Sequence, residues 1–194
     1  MERTILTTII ITGPPGVGKT TLVRKICSNL RDKGHILRGF YTEEVRSEGS
    51  GFGQRIGFDV VTLDGKHGIL SRENTTDKLR RPKVGKYSVF IQDFEDLTLP
   101  LLAKKDSGPE PELLVIDEVG KMELLSKRFE SAVGELLRKK RPLVVTIPEK
   151  SSLILVEQLR KTSGSILYQV TKTNRNTLST EIADLITMSL LVTK

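Results

Sequence analysis

The feature that most constrains this chain is a glycine-rich segment, GPPGVGKT, at residues 13–20. Glycines in such a segment let the backbone turn so that several N–H groups point to one side, and a helix that begins directly after them adds the positive end of its dipole. The lysine supplies a mobile positive charge, and the threonine hydroxyl can ligate magnesium. The segment therefore predicts a phosphate-binding loop, or P-loop, for a nucleoside triphosphate with Mg²⁺. The residues expected to contact the nucleotide here are Gly13, Pro14, Pro15, Gly16, Val17, Gly18, Lys19, Thr20 and Thr21.

The sequence on both sides of the P-loop has the pattern that such a loop requires. Residues 4–12 form a short apolar run that ends at the first glycine, which is typical of a buried strand. Between residues 20 and 33, Leu22, Val23, Ile26 and Leu30 recur at helical spacing, and Gly34 is a natural helix stop. We therefore predict a strand, the P-loop and a helix in that order.

Strands and helices continue to alternate in the second half of the chain. Strands are predicted at residues 87–91, 113–116, 143–147 and 166–170, and the runs at 113–116 and 143–147 are typical of buried strands. Helices are predicted at residues 94–103, with an interruption or kink near Pro100, around residues 129–137, at 153–159 and at 176–191. This alternation predicts an α/β fold: one three-layer P-loop NTPase domain over residues 1–194, with a mostly parallel sheet.

The stretch between these two halves has a different character and is predicted to be an inserted antiparallel hairpin region. Residues 36–45, 55–63 and 68–70 are typical of strands, and Asp64-Gly65 between two of them is a strong hairpin signal. Residues 72–81 are polar and charged, so we predict a surface loop that could serve as a flap.

A second motif, LLVIDE, ends in an acidic pair at Asp117 and Glu118. P-loop proteins place a carboxylate at the end of a neighbouring buried strand to hold magnesium, directly or through water, and Asp117 is in that position. Glu118 can then orient and deprotonate an attacking water. The alternative is a pair of acidic residues that merely caps a strand. The pair favours an ATPase-like strand order over a kinase-like one.

Lys121 follows the acidic pair closely and is the third candidate catalytic residue. A cation there can stabilise the charge that develops on the oxygen between the β- and γ-phosphates. The residues alone do not decide between that role and a surface ion pair with Glu123.

Several blocks of this sequence together resemble one known family, the THEP-type nucleoside triphosphatases. The blocks read GPPGVGKT, GFYTEEVR at residues 39–46, RIGFDVVTL at 55–63, VIDEVGKMEL at 115–124, TIP at 146–148 and TKTNRN at 171–176. They occur in order and span nearly the whole chain. The resemblance implies a small enzyme that needs magnesium and hydrolyses ATP, GTP and other nucleoside triphosphates slowly and with broad preference.

The resemblance also implies roles for residues that their own chemistry leaves open. Glu44, Arg46 and Arg55 lie in blocks expected to line the nucleotide cleft near the phosphates, although cross-strand ion pairs on a hairpin would explain them equally well. Asn174 and Arg175 are expected near the base or sugar, the alternative being a helix N-cap with polar neighbours.

Composition excludes several other classes of protein. Cys27 is the only cysteine, so no intrachain disulfide forms and we expect a reducing, cytoplasmic location. The chain lacks tryptophan and is 5% aromatic, which does not favour a surface that stacks many bases. No apolar run reaches the length of a membrane span. The net charge of +7 is spread along the chain, so we expect nucleoside triphosphates rather than nucleic acid as ligands, and a monomer.

The motifs thus favour a magnesium-dependent nucleoside triphosphatase. A nucleotide or nucleoside kinase remains open, because the same residues serve transfer to any acceptor. A nucleotide-dependent switch associated with nucleic acid also remains open, because the chain is basic.

Overall fold

The computed structural model describes residues 8–48, 53–76, 79–103 and 111–192. Within them the strands are β1 (Thr8–Thr12), β2 (Leu37–Arg46), β3 (Arg55–Thr62), β4 (His67–Arg72), β5 (Lys83–Val84), β6 (Tyr87–Val89), β7 (Leu113–Ile116), β8 (Leu143–Thr146) and β9 (Ser165–Gln169). The helices are α1 (Lys19–Asp32), α2 (Ile91–Leu102), α3 (Lys127–Arg138), α4 (Ile154–Arg160) and α5 (Leu178–Val192), with a short 3₁₀ helix at Glu123–Leu125.

The described strands form one nine-stranded sheet in the order β5-β6-β4-β3-β2-β7-β8-β1-β9. Strands β2, β7, β8, β1 and β9 pair in parallel, and β2, β3, β4, β6 and β5 pair antiparallel. The inserted region therefore continues the parallel sheet at the β2 edge. One strand, β8, separates the P-loop strand β1 from β7, which ends at the acidic pair. This separation is the ATPase-like order.

Two apolar layers cover the parallel part of the sheet, because successive side chains of a strand point to opposite faces. Ile10 packs with residues of α2, α3 and α4 on one face. Ile9 and Ile11 pack on the other face with residues of α1 and α5. Cys27 lies in this second layer, and burial raises the pKa of its thiol to about 12. The predicted three-layer α/β fold is confirmed.

Helix α2 departs from its predicted bounds. It begins at Ile91, where a strand was expected, and it runs without interruption through Pro100 to Leu102. Pro100 has no amide to donate to the carbonyl of Asp96, but the helix continues past it, and the amide of Ala103 still donates to the carbonyl of Leu99 at 3.1 Å. The predicted interruption near Pro100 is wrong.

The predicted surface loop at residues 72–81 agrees with the structure at residues 73–76 and 79–81, and only its first residue differs. Arg72 is the last residue of β4, and its guanidinium donates to the carboxylate of Asp59 at 2.6 Å and to the carbonyl of Phe58 at 3.0 Å. Arg81 lies over the Phe90 ring at 4.0 Å. These two arginines are therefore held against the sheet, while residues 77–78 lie outside the described part.

Residues 1–7, which include the predicted start of the first strand, also lie outside the described part. Of the helices that the structure describes, none is both long enough and apolar enough to span a membrane.

Candidate active site

The P-loop connects β1 to α1 at the carboxyl edge of the parallel strands. Gly13, Gly16 and Gly18 have φ values of 151°, 73° and 107°, a region that side chains other than glycine rarely adopt. A Cβ atom on Gly13 would also lie only 2.7 Å from the carbonyl oxygen of Val170. Lys19 begins α1, and its ammonium group donates back to the carbonyl of Gly13 at 3.2 Å. The loop therefore has the curved backbone and the overlying cation that enclose a phosphate.

Asp117 follows β7 and is 1% exposed. Its Oδ1 accepts a hydrogen bond from the hydroxyl of Thr146, and its Oδ2 is buried without a hydrogen bond of good geometry. Burial raises the pKa of this carboxyl, while the hydroxyls of Thr146 and Thr20 and the charge of Lys19 lower it. A buried carboxylate oxygen that lacks a hydrogen bond of good geometry, next to the Thr20 hydroxyl, fits a hard cation such as Mg²⁺.

Glu118 faces the P-loop lysine. Its Oε2 lies 3.8 Å from Lys19 Nζ, and the peptide bond that joins it to Asp117 is cis. Burial raises the pKa of the Glu118 carboxyl, and the positive charge of Lys19 opposes this shift. The two acidic side chains therefore point in different directions. Asp117 points inward toward Thr146, and Glu118 points toward the space in front of the P-loop.

Glu123 is a site residue that the sequence analysis treated only as a surface partner of Lys121. The structure instead buries it to 5% exposure, and its Oε2 accepts a hydrogen bond from the amide of Gly120 at 3.1 Å. Burial, together with the nearby Glu118 charge, raises the pKa of Glu123 to about 8. The carboxyl is therefore largely protonated at neutral pH, and within the described part no ion pair joins it to Lys121. Its sequence signal is an acidic residue between two apolar ones, Met122 and Leu124.

The β2–β3 hairpin forms the wall opposite the P-loop. Phe40 of β2 pairs with Ile116, the last residue of β7. The six residues of β2 that follow Phe40 therefore extend about 20 Å past the carboxyl ends of the parallel strands. Near the tip, the Glu44 carboxylate accepts from Arg46 at 2.6 Å and from Arg55 at 3.1 Å. These hydrogen bonds and charges lower the pKa of Glu44 despite the opposing effect of its partial burial. The pair between Glu44 and Arg55 is the expected cross-strand ion pair, whereas Glu44 and Arg46 are both on β2, and all three residues lie on the wall of the cleft.

One cavity of about 980 Å³ lies between this hairpin and the P-loop. Among the residues proposed from the sequence, it is lined by Gly13, Pro15, Gly16, Gly18, Lys19, Thr20, Thr21, Glu44, Arg46, Arg55, Glu118 and Lys121. It is also lined by residues that the sequence analysis did not propose, namely Thr42, Glu43, Phe58, Leu70, Val84, Met122, Glu123, Pro148, Glu149, Lys150 and Ser151.

Asn174 and Arg175 lie on the other side of the P-loop, in the loop between β9 and α5. The Asn174 side chain accepts from the amide of Thr171 at 2.8 Å and donates to the carbonyl of Gln169 at 2.9 Å. Arg175 donates to the carbonyl of Val17 at 3.2 Å and lies beside Gly18. Helix α5 begins four residues after Asn174, so the alternative of an N-cap is wrong.

The chain is similar to known proteins in sequence and in fold. The NTPase family model matches residues 8–183. The chain is 43% identical over 188 residues to the cancer-related nucleoside-triphosphatase homolog of Mus musculus, which covers 93% of this chain and 97% of the relative. It is 41% identical over 174 residues to the nucleoside-triphosphatase THEP1 of Thermotoga maritima, covering 90% and 92%.

Two solved structures share the fold. The crystal structure of THEP1 from Aquifex aeolicus superposes with a TM-score of 0.76 at 39% identity, covering 92% of this chain and 98% of that one. The solution structure of a human cancer-related nucleoside triphosphatase gives a TM-score of 0.76 at 44% identity, covering 92% and 96%. The chain therefore belongs to the NTPase family that includes THEP1, and it is a nucleoside-triphosphate hydrolase.

Proposed function

We propose that this enzyme hydrolyses ATP, GTP, CTP and UTP to the diphosphate and phosphate, slowly, with little preference among the bases and with Mg²⁺ as its cofactor. The observation that carries the proposal is the position of Glu118. Its carboxylate faces Lys19 Nζ across 3.8 Å, directly in front of the P-loop and next to Asp117. A γ-phosphate held by the P-loop would therefore have a carboxylate beside it that can accept a proton from water.

Binding of the triphosphate would rest on the P-loop amides and Lys19. Thr20 and Asp117 would hold the metal, since the Asp117 Oδ2 is buried and free of good hydrogen bonds. Among the described residues, no group of three or more His, Cys, Asp or Glu side chains is arranged to hold a metal ion. A site with few protein ligands is typical of Mg²⁺, which keeps several waters and binds substrate phosphates. When bound, the cation would neutralise charge on the β- and γ-phosphate oxygens.

The proton of the attacking water would pass to Glu118. A base works best when its pKa is close to the working pH, and burial moves the Glu118 pKa upward from 4.5 in that direction. Lys121 lines the same cavity and would stabilise the negative charge on the leaving diphosphate. Arg46 and Arg55 would provide further positive charge from the hairpin.

The side chains around the site also support a slow enzyme with broad preference. Both hairpin arginines are bound to Glu44, so each must leave a charged partner before it can reach a phosphate. On the other side, both groups of the Asn174 amide are used by the backbone of its own loop. Arg175 could stack on any base, because a guanidinium plane carries no information about base edges.

The test is a phosphate-release assay with ATP, GTP, CTP and UTP on the wild type and on Glu118→Gln. Glutamine keeps the size of the side chain but cannot accept a proton, so we expect turnover to fall at least ~100-fold, the usual contribution of a general base. Nucleotide binding should change little, since water activation matters mainly in the transition state.

Lys19→Ala is the matched control, because it should weaken nucleotide binding as well as turnover. Normal phosphate release from Glu118→Gln would remove Glu118 as the base. Unchanged turnover after chelation of divalent cations would remove the magnesium requirement. A preference of more than about 100-fold for one nucleotide would overturn the broad specificity.

A further inference from the structure

The cavity in front of the P-loop extends well beyond the place of a triphosphate. Its lining comes from two groups of elements: the P-loop with the β7 and β8 ends, and the antiparallel strands β2, β3, β4 and β5. In the sheet order, these antiparallel strands and β9 lie on opposite sides of β7, β8 and β1. A nucleotide on the P-loop can extend its nucleoside toward only one of these two sides.

The chemistry of hydrolysis decides the direction of the nucleotide. The attacking atom and the leaving diphosphate must lie roughly in line on opposite sides of the γ-phosphate. Glu118 would activate the attacking water, so the side that faces Glu118 is the attack side. The β- and α-phosphates and the nucleoside then extend away from Glu118, toward β9 and Arg175. Arg175 contacts the P-loop at Val17 and does not line the cavity. The part of the cavity at the antiparallel strands is therefore left open on the attack side of the γ-phosphate.

This open part has a distinct chemical character, and we call it the hairpin pocket. Its apolar residues are Phe58, Leu70, Val84 and Met122. Its charged rim consists of Glu43, Glu44, Arg46 and Arg55, in which Glu43 is paired with Arg24 from outside the pocket and Glu44 is paired with both rim arginines. The Phe58 ring lies on the same strand pair, directly opposite Glu44, and the Arg55 guanidinium lies 5.1 Å from its centroid. A ligand that matches both features has a flat ring and an anionic group.

We propose that the hairpin pocket binds a nucleoside monophosphate, with its base against Phe58 and its phosphate between the arginines and the γ-phosphate, as an acceptor of the phosphoryl group. The proposal rests on the nucleotide binding described under Proposed function. An ionised oxygen of the monophosphate attacks the γ-phosphorus, and a new P–O–P bond forms. The bond from the γ-phosphorus to the β–γ bridging oxygen breaks, and its electron pair leaves with the diphosphate. The products are two nucleoside diphosphates.

This transfer differs from hydrolysis in its need for a base. Water must lose a proton when it attacks, whereas the monophosphate oxygen is already ionised at neutral pH. Loss of the Glu118 carboxylate therefore removes the competing hydrolysis without removing the acceptor's reactivity. Glu118→Gln is consequently the variant in which transfer is most easily observed.

The experiment incubates the wild type and Glu118→Gln with Mg²⁺ and γ-labelled ATP, together with AMP, CMP, GMP or UMP in separate samples. Labelled phosphate and labelled nucleoside diphosphate are measured in the same samples, and ATP binding is measured in parallel. We expect a labelled diphosphate of at least one added nucleoside from both proteins. In Glu118→Gln, phosphate release falls at least 100-fold and the rate of transfer stays within tenfold of wild type. Lys19→Ala gives neither product, which excludes a contaminating kinase.

A second variant tests the location. Phe58→Leu keeps an apolar side chain in the wall but removes the flat ring, so the KM for the monophosphate should rise about five- to tenfold more than the KM for ATP. Tyr41→Ala is the matched control, because Tyr41 lies in the same hairpin but does not line the cavity. It should change the two KM values by the same factor.

The outcomes that overturn the proposal are separate from those that overturn the proposed hydrolysis. If the wild type releases phosphate but forms no labelled diphosphate with any monophosphate, the acceptor pocket is wrong and hydrolysis stands. If it does neither, both proposals fail. A Phe58→Leu variant that raises only the KM for ATP would place the nucleotide's own base in the hairpin pocket and also overturn the proposal.

Discussion

Three carboxyl groups, those of Asp117, Glu118 and Glu123, lie close together, and Glu118 is the one that would face the γ-phosphate. Asp117, Glu118 and Glu123 all carry a pKa raised by burial, and Lys19 is a shared source of positive charge for the first two. Glu123 is influenced by the negative charges of both others and is held by a backbone amide rather than by a cation. At neutral pH the Glu123 carboxyl is therefore mostly protonated, which limits the negative charge of the cluster.

This protonation makes the stability of the enzyme depend on pH in a defined direction. The pKa of Glu123 rises from 4.5 to about 8 on folding, so between these values the folded chain holds a proton that the unfolded chain lacks. The stabilising contribution of Glu123 is complete below pH 4.5 and is lost as the pH rises through about 8. Glu123→Gln is neutral at every pH and should remove this dependence.

We expect Glu123→Gln to unfold within about 2–3 °C of the wild type at pH 5, and roughly 10 °C or more above the wild type at pH 9, because a pKa shift of this size corresponds to about 5 kcal/mol. Thermal unfolding across this pH range measures both. Glu130→Gln is the control, since Glu130 lies at the surface of α3 in an ion pair with Lys127. A constant difference between wild type and Glu123→Gln at all pH values would show that Glu123 does not hold a proton.

At the scale of single residues, the sequence was sufficient to predict which side chains come together wherever those side chains belong to a motif. Lys19, Thr20 and Asp117 lie together because the P-loop and the acidic pair both follow parallel strands at the same edge of the sheet. Glu123 and Thr146 could not be assigned from their spacing, because their orientation depends on how the turn after β7 and the end of β8 pack. The residue roles themselves remain predictions.

At the scale of elements, the position of the β2–β3 hairpin depends on close packing between β2 and β7. Gly39 of β2 is paired with Val115 of β7 and has a φ of 145°. A Cβ atom there would lie 1.9 Å from the carbonyl oxygen of Val115, which is far inside any allowed contact. The two backbones can therefore approach only because this position is glycine.

Gly39→Ala should consequently destabilise the fold by about 3 kcal/mol or more, because both the backbone dihedral and the contact with Val115 must change. Urea unfolding followed by circular dichroism measures the free energy of unfolding. Loss of activity should follow, since the displaced hairpin carries Glu44, Arg46 and Arg55.

Gly134→Ala provides the matched control. Gly134 lies inside α3, and a Cβ atom there would have no neighbour within 4 Å. The same substitution should therefore stabilise the protein by about 0.5–1 kcal/mol, as glycine is a poor helix former. Equal effects of the two substitutions would contradict the close approach of β2 and β7.

Most elements were predictable because local patterns dominate them. The apolar runs of β1, β7 and β8 and the helical spacing in α1 and α3 identify those elements, and Asp64-Gly65 marks the β3–β4 turn. The start of α2 was missed because Ile91 continues the apolar run of β6. The two-residue strand β5 was also missed, since it exists only through its pairing with β6.

At the scale of the whole molecule, the site is assembled from parts that are distant in sequence. The P-loop, the hairpin wall and the acidic pair come from residues near 13–20, 42–58 and 117–123, and no two of them are joined by a short loop. A ligand that contacts all three stabilises only the folded chain, because the parts separate on unfolding. Ligand binding should therefore be visible as thermal stabilisation.

We expect Mg²⁺ with ATP, at about 100 times its dissociation constant, to stabilise Glu118→Gln by about 2.7 kcal/mol. This corresponds to a rise of about 5–11 °C in the unfolding temperature for a chain of this size. Chelation of the cation should remove most of the rise, and Lys19→Ala should show little of it. A full rise without divalent cation would contradict the proposed roles of Thr20 and Asp117.

The net charge of +7 also belongs to this scale. This value already counts every carboxylate, so the ion pairs of Arg24, Arg46, Arg55 and Arg128 leave it unchanged. That nucleic acid is not a ligand of this enzyme rests on the spread of the basic residues along the chain and stays a prediction.

The sequence by itself determined the P-loop, the acidic pair, the alternation of strands and helices and the family, because each follows from residues that are close together in the chain. Only the tertiary structure decided what stands opposite the P-loop. The strand order places the β2–β3 hairpin across the cavity from the P-loop, and burial beside the acidic pair raises the pKa of Glu123 to about 8. Both results depend on which distant segments become neighbours, and no local pattern of residues specifies that.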